Sequence, residues 1–401
     1  MLAAALLATH TAHASIEQFA SFDVFAPEID DESAFDYFLS RPLDDWRAEW
    51  ESSHSALRAD QGCMTAGIWY QDNEFKTRSD MGKRAWLDVG FLQHTDPAGS
   101  WQSLQFDVLR STRWGAFGGR FKPSYEKSQQ DFAALWELGD GRSAWQARAT
   151  FTIEDTFNKL WTFRQASVGE NHWEPYRVHP FEPALDVTWR GPHHRLQLAD
   201  TWLTPSRQDI VDADPAIAGT RTLQGNHALF LAERDLGRWT GIARWECTSA
   251  RSGRTSPALI GDGRVDRQRW IAEATVRRAL GPRWRAEAGY FYERRAQDWR
   301  PPIASGTFGA LDRVGHAEVA WQPREGWQLR TGLLYDRAGV ARTWVQPGFY
   351  GSRKESRAYI GMQARLGRVR IQAIEGIELD TEPYPVSFHH DKGFLHLQTT
   401  F

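Results

Sequence analysis

WRAEAGYFYE, Trp284 to Glu293, is the stretch whose reading decides the fold. Trp284, Ala286, Ala288, Tyr290 and Tyr292 share one parity, while Arg285, Glu287, Gly289 and Glu293 share the other. A period of two is that of a strand whose faces meet different surroundings; an amphipathic helix would space its apolar residues three or four apart. The run starts just after Gly281-Pro282, a turn signal. The same split recurs elsewhere: Trp145, Ala147, Ala149, Phe151 and Ile153 alternate with Gln146, Arg148, Thr150, Thr152 and Glu154. It recurs again in Ala358, Ile360, Met362, Ala364 and Leu366, and in Val369, Ile371 and Ala373.

Outward from that stretch, short turn signals stand at Asp96-Pro97-Ala98-Gly99, Gly139-Asp140-Gly141, Gly191-Pro192-His193, Asp235-Leu236-Gly237, Gly281-Pro282, Pro323-Arg324-Glu325-Gly326 and Leu366-Gly367. Their spacing is roughly 42 to 52 residues, the length of two membrane-crossing strands and one longer loop. The longer loops are expected near Gln71–Met81, Ser111–Lys127, Asp155–Pro183, Thr204–Gly219, Thr248–Asp266, Ala296–Ala310, Arg342–Glu355 and Asp380–Asp391. The sum is an all-β chain: a transmembrane antiparallel barrel of about sixteen strands preceded by a short helical segment. Trp101, Trp136, Trp145, Trp189, Trp239, Trp284, Trp321 and Trp327 all lie within a few residues of the short turns. An indole is apolar with one N–H that wants water, so such a ring of residues reads as a girdle at the membrane–water boundary.

Composition agrees with two solvents. The 401 residues carry 20 Trp, 22 Phe and 10 Tyr beside 25% charged residues. No run approaches the eighteen or so apolar residues of a membrane-spanning helix. A barrel escapes that limit because only alternate residues face lipid. The net charge of -3 gives no argument for nucleic acid.

Three segments follow: residues 1–14 as a leader, 15–62 as a periplasmic or plug segment, and 63–401 as the barrel. Leu2 to Ala8 is a short apolar run, and Ala12-His13-Ala14 has the form of a cleavage site, although no Lys or Arg precedes the run. In the second segment Ser40 caps a helix whose Leu43, Trp46, Trp50 and Leu57 fall on one stripe. That stripe serves either to plug the inner mouth of the barrel or to dock a periplasmic partner. Cys63 and Cys247 lack metal spacing and are expected to stay unbonded.

The chain ends in KGFLHLQTTF, with Leu395, Leu397, Thr399 and Phe401 on one parity. Here the sequence resembles the bacterial outer-membrane β-barrel proteins, porin-like in its strand number and without a subfamily motif. In that family such a C-terminal strand ending in Phe is the signal read by the barrel-assembly machinery. The resemblance covers roughly Cys63 to Phe401 and implies the outer membrane, with its lipid and lipopolysaccharide, as surroundings. In general porins the third loop narrows the lumen. The third loop here holds Asp155, Glu170 and Glu174 but lacks the PEFGG stretch. The structural rival is a soluble propeller, whose repeats are of similar length but need four strands each.

If the apolar parity faces lipid, the other lines the interior. Its candidates are Asp88, Asp107, Glu137, Arg148, Asp186, Arg190, Arg244, Glu246, Glu273, Arg277, Arg285, Glu287, Glu318, Arg330, Arg365 and Arg370. Charges of both signs imply either water inside or dense pairing across strands, since a lone charge in a dry interior is heavily penalised. The expected function is a channel for polar solutes. Arg330, Arg365 and Arg370 form a strip that would favour anions. The inward parity of Trp86, Phe291, Tyr359 and Phe394 raises the alternative of a polysaccharide export conduit, through stacking on sugars. A third reading, an outer-membrane hydrolase, draws on His172, His179, Ser387, His389, His390 and Asp391, which form no triad by closeness in sequence. No catalytic residue, cofactor or metal site is expected.

Overall fold

The computed structural model describes residues 61–67, 71–96, 99–123, 131–139, 143–154, 175–211, 218–255, 262–300, 306–342, 349–379 and 390–400. The leader, the stripe of Leu43, Trp46, Trp50 and Leu57, the loop residue His172, Ser387, His389 and Phe401 all lie outside the described residues.

Among the described residues every regular element is a strand. The first half holds β1 (Gln61–Gly67), β2 (Gln71–Asp80), β3 (Ala85–Asp96), β4 (Gly99–Thr112), β5 (Gly115–Lys122), β6 (Asp131–Leu138), β7 (Trp145–Ile153), β8 (Tyr176–Val178) and β9 (Phe181–Arg190). Then come β10 (His194–Ile210), β11 (Gly219–Leu236), β12 (Trp239–Thr255), β13 (Asp262–Ala279) and β14 (Trp284–Arg300). The last five are β15 (Gly306–Arg324), β16 (Trp327–Arg342), β17 (Phe349–Leu366), β18 (Val369–Glu378) and β19 (His390–Thr400). Apart from the short β8, which pairs with β10, so that β7 pairs with β9, each pairs antiparallel with its neighbours in chain order, and β1 closes the sheet by pairing with both β2 and β19, Gln61 lying opposite Thr400. The three-residue β8 continues the line of β9 along β10, so nineteen segments make eighteen wall strands. One closed sheet of this kind is a barrel and excludes separate propeller blades.

The count of eighteen, against an expectation of about sixteen, has an identifiable reason. Gln71–Met81, expected as a loop, is β2, and Ser111–Lys127 hides the turn at Arg113-Trp114 and the whole of β5. Gly115 turns this corner with φ 107, and a Cβ there would come within 2.3 Å of the Glu137 carbonyl oxygen. The extra strands invert the start of the chain. The turn after Asp96 joins the rim that carries the longer loops, so Trp101, paired with His94, stands at the opposite rim from the other girdle tryptophans.

The loops are also shorter than expected, because β10 to β17 run for 16 to 19 residues. A tilted strand crosses the hydrocarbon in about 9 to 11 residues, so these eight project beyond it on the loop rim. Arg251 to Thr255, within an expected loop, is ladder paired with β11 and β13.

Burial follows parity as a two-faced wall requires. On β10 the pattern from Leu196 to Leu203 alternates exposed and buried at every step. Outward, Trp136, Trp145, Trp189, Trp239, Trp284, Trp321 and Trp327 ring the rim of short turns, Trp145 stacking on Trp189 and Trp284 on Trp321, each at 5.9 Å between centroids. A second aromatic ring stands higher, built from Phe151, Phe181, Trp202, Trp270, Tyr292 and Tyr335. Between the rings the outward positions are mostly Ala, Val, Leu, Ile and Met, such as Ala286, Ala288, Val319, Leu333 and Ile360. This is the apolar band of a transmembrane barrel.

Candidate functional site: the inward wall

All sixteen inward candidates share the inner face, as the register requires. Asp88 lies opposite Asp107, Glu137 opposite Arg148, Arg148 opposite Asp186, and Arg277 opposite Glu287. What the structure adds is how they are joined.

On β13 to β17, near the rim of short turns, one network spans five strands. Arg277 Nε donates to Glu287 at 2.8 Å, and His316 Nε2 stands 3.5 Å from the same carboxylate. Next along the row, Glu318 accepts from Arg330 at 3.3 Å and from the Tyr359 hydroxyl at 2.8 Å, with Arg285 3.9 Å away. Three glycines set the shape of this wall. A Cβ on Gly332 would meet the Tyr359 ring at 2.4 Å, one on Gly289 would meet His316 at 2.3 Å, and one on Gly361 would meet Arg330 at 2.9 Å. Tyr359, His316 and Arg330 therefore lie flat across the backbone of neighbouring strands instead of standing into the interior. A bare backbone under each long side chain is what permits this.

One step toward the loop rim, Arg269 donates to Glu293 at 2.7 Å, and Arg295 links Glu293 at 3.7 Å to Asp312 at 3.3 Å. On β12 Arg244 donates to Glu246, while His227 Nδ1 is 2.7 Å from the Thr248 hydroxyl. Across the barrel, Asp107 is held by two bonds from Arg120, both 2.8 Å, and by Arg148 at 3.5 Å. Arg148 also reaches Glu137 at 3.4 Å, and Asp186 accepts from Gln197 at 2.8 Å. Bidentate pairing of this sort fixes both partners and neutralises them together.

Several participants escaped the sequence reading: Arg120, His227, Arg269, Glu293, Arg295, Asp312 and His316. Arg120 lay inside an expected loop; the others stood in expected strands, Glu293 on the polar parity of the deciding stretch, but only the pairing between strands singles them out. The anion-favouring strip does not assemble as expected. Arg330 is committed to Glu318, and only Arg365 and Arg370 face each other, at the rim of short turns. The aromatic residues offer little to a passing sugar: Phe291 is fully buried, and Tyr359 lies between Gly332 and the guanidinium of Arg330.

The inner face is not uniformly polar. Leu109, Ala116, Ala133 and Leu135 form a buried cluster on β4 to β6 with Trp86 of β3 packed against it. Two more line β10 to β12, one of Ala199, Leu229, Leu231 and Ile242, the other of Leu203, Leu223, Ala250 and Tyr176 of β8. The charged sector thus faces an apolar one. Cys247 is a free thiol on β12, a strand that does not neighbour the β1 that carries Cys63. Among the described residues no group of three or more His, Cys, Asp or Glu could hold a metal ion.

No protein-family model matches the chain, and no curated protein matches it. Among solved structures it is similar to OccAB3 of Acinetobacter baumannii, at 10% identity and a TM-score of 0.42, covering 86% of this chain and 98% of that one. It is also similar to OmpT, an outer-membrane protein of Vibrio cholerae, at 9% identity and a TM-score of 0.40, covering 85% and 97%. A bacterial polysaccharide outer membrane secretin matches at 9% identity and a TM-score of 0.41, covering 86% and 98%. Likenesses of this size carry no argument, and the barrel rests on its own strand pairing.

Proposed function

We propose that this protein is a channel of the bacterial outer membrane that passes polar solutes through a water-filled, charged interior. The observation that carries the reading is the flat inner wall of β13 to β17. Barrels of about 16 to 18 strands are wide enough for an aqueous channel, provided their inward side chains do not fill it. Here Tyr359, His316 and Arg330 fold onto Gly332, Gly289 and Gly361, which supports an interior not filled by these side chains. The outward band between two aromatic rings supports the membrane as the other solvent.

Charges of both signs neutralise one another along the wall, so discrimination between small anions and cations should be weak. Planar-bilayer recording of the refolded protein tests the reading. Ohmic conductance steps with a cation-to-anion permeability ratio within about threefold of unity are expected. Reconstituted barrels that never conduct, with or without residues 15–61, would overturn it.

A further inference from the structure

Just above the upper aromatic ring, four adjacent strands each present an exposed cation on the outward face: Arg294 on β14, Arg313 on β15, Arg337 on β16 and Lys354 on β17. Their inward neighbours on the same strands, Glu293, Asp312 and Asp336, are buried, so the outward direction of the first three is fixed by parity. The register brings them side by side. Arg337 pairs directly with Lys354. Leu311 lies opposite Gly339 and Val314 opposite Asp336, which puts Arg313 opposite Arg337. Arg294 pairs with Leu311, one diagonal step from Arg313.

Like charges directly opposite on paired strands repel, and Cβ atoms there are only about 5 Å apart. Elsewhere on this outward surface the wall supplies acids. Asp266 takes Arg251 at 2.6 Å, Arg264 at 2.9 Å and Arg300 at 3.8 Å, and Asp298 takes Arg300 at 3.8 Å. The arc has no such partner. On the outward parity of β14 to β17 the only acid is Asp298, at the loop end of β14. Among the described residues, none of the four cations has an ion pair. Tyr292 and Tyr335 lie just below, at the level where a membrane interface meets headgroups.

We propose that this arc binds the phosphate groups of a phosphorylated glycolipid in the leaflet at the loop rim. The proposal rests on the outer-membrane reading of the barrel. Guanidinium pairs recognise phosphate oxygens in a planar, two-point fashion, and one phosphate between Arg313 and Arg337 would turn their repulsion into shared attraction. The Lys354 ammonium would add a point charge at the end of the row. The apolar band beneath receives the acyl chains, which fixes a lipid as the source of the phosphate.

The test uses full-length protein in detergent, with bound lipid read by native mass spectrometry. The probes are bisphosphorylated lipid A, the same lipid dephosphorylated, and inorganic phosphate. The variant is R294Q/R313Q/R337Q/K354Q, with a control, R251Q/R264Q, that removes charges from the paired cluster. Expected are retention of bisphosphorylated lipid A by the wild type and the control, at least about tenfold weaker retention by the quadruple variant, and no retention of inorganic phosphate. Equal retention by wild type and quadruple variant, or equal retention of dephosphorylated lipid, would overturn the proposal. Resistance of each protein to unfolding in gel electrophoresis without boiling shows whether its barrel is intact. A wild type that forms no barrel overturns the outer-membrane reading as well, whereas an intact barrel without retention removes this proposal alone.

Discussion

Glu318 shows how much a single inward residue holds. Its side chain is almost fully buried and accepts from Arg330 and from Tyr359, with Arg285 close by. Removing the carboxylate leaves a guanidinium and a phenol without their acceptor. Glu318→Ala should therefore lower unfolding stability by about 3 kcal/mol, measured by denaturant titration of the protein refolded in lipid vesicles, whereas Glu318→Gln, which keeps an acceptor oxygen, should cost less. Gly332 tests the flat wall directly. In Gly332→Val the added carbons meet the Tyr359 ring and the Ala317 carbonyl oxygen at 2.6 Å, so the ring must swing inward. Single-channel conductance should fall, and the double variant Gly332→Val/Tyr359→Ala should recover it. A single variant with wild-type conductance would show that the ring never lay in the way.

At the scale of the element, β14 carries the argument in its alternation. Ala288 stands outward in the middle of the apolar band, between Tyr290 and Ala286, while Glu287 on the other face bonds Arg277. An arginine at 288 would sit in hydrocarbon, which costs about 2 to 4 kcal/mol near the bilayer midplane. Ala288→Arg should shift the equilibrium of folding into vesicles by that amount. The same residue at Ala296, outward but above the second aromatic ring, should cost less than about 1 kcal/mol. Equal costs at 288 and 296 would place the hydrocarbon boundary somewhere other than the two rings. A charged exception within the band is Asp200, exposed between Leu198 and Trp202, whose carboxylate accepts from Asn226 Nδ2 at 2.7 Å.

For the whole molecule, the division of the interior matters most. The charged sector of β13 to β17 needs water or pairing, and the cluster of Trp86, Leu109, Ala116, Ala133 and Leu135 needs an apolar cover. The chain enters β1 at the rim of short turns, with Gln61 opposite Thr400, and Ala116 stands on that same rim, one residue into β5. A preceding segment with an apolar stripe at Leu43, Trp46 and Trp50 is of the right chemistry to supply that cover, and we expect it to act as a plug. Deleting residues 15–60 should raise open probability in bilayer recordings by about tenfold or more while leaving unit conductance unchanged. Leu109→Asp should do the same with the segment present. Unaltered gating in both would assign the stripe to a partner outside the barrel.

The sequence by itself determined the two-faced alternation of the strands. In stretches such as Trp284 to Tyr292 every second residue is apolar, and that alternation needs no knowledge of neighbours because a strand's side chains point to opposite faces whatever it pairs with. It likewise placed seven of the eight girdle tryptophans at one rim and the sixteen charged candidates on one face. Only the tertiary structure decided the strand count, the rim to which each turn belongs and the partner of each charge. The physical reason is that above the membrane both faces of a strand meet water, so residues such as Arg251 to Thr255 lose alternation and look like loop. Pairing depends on register, and register is a relation between segments far apart in the chain: Glu318 meets Tyr359 and Asp107 meets Arg148 across 41 residues each.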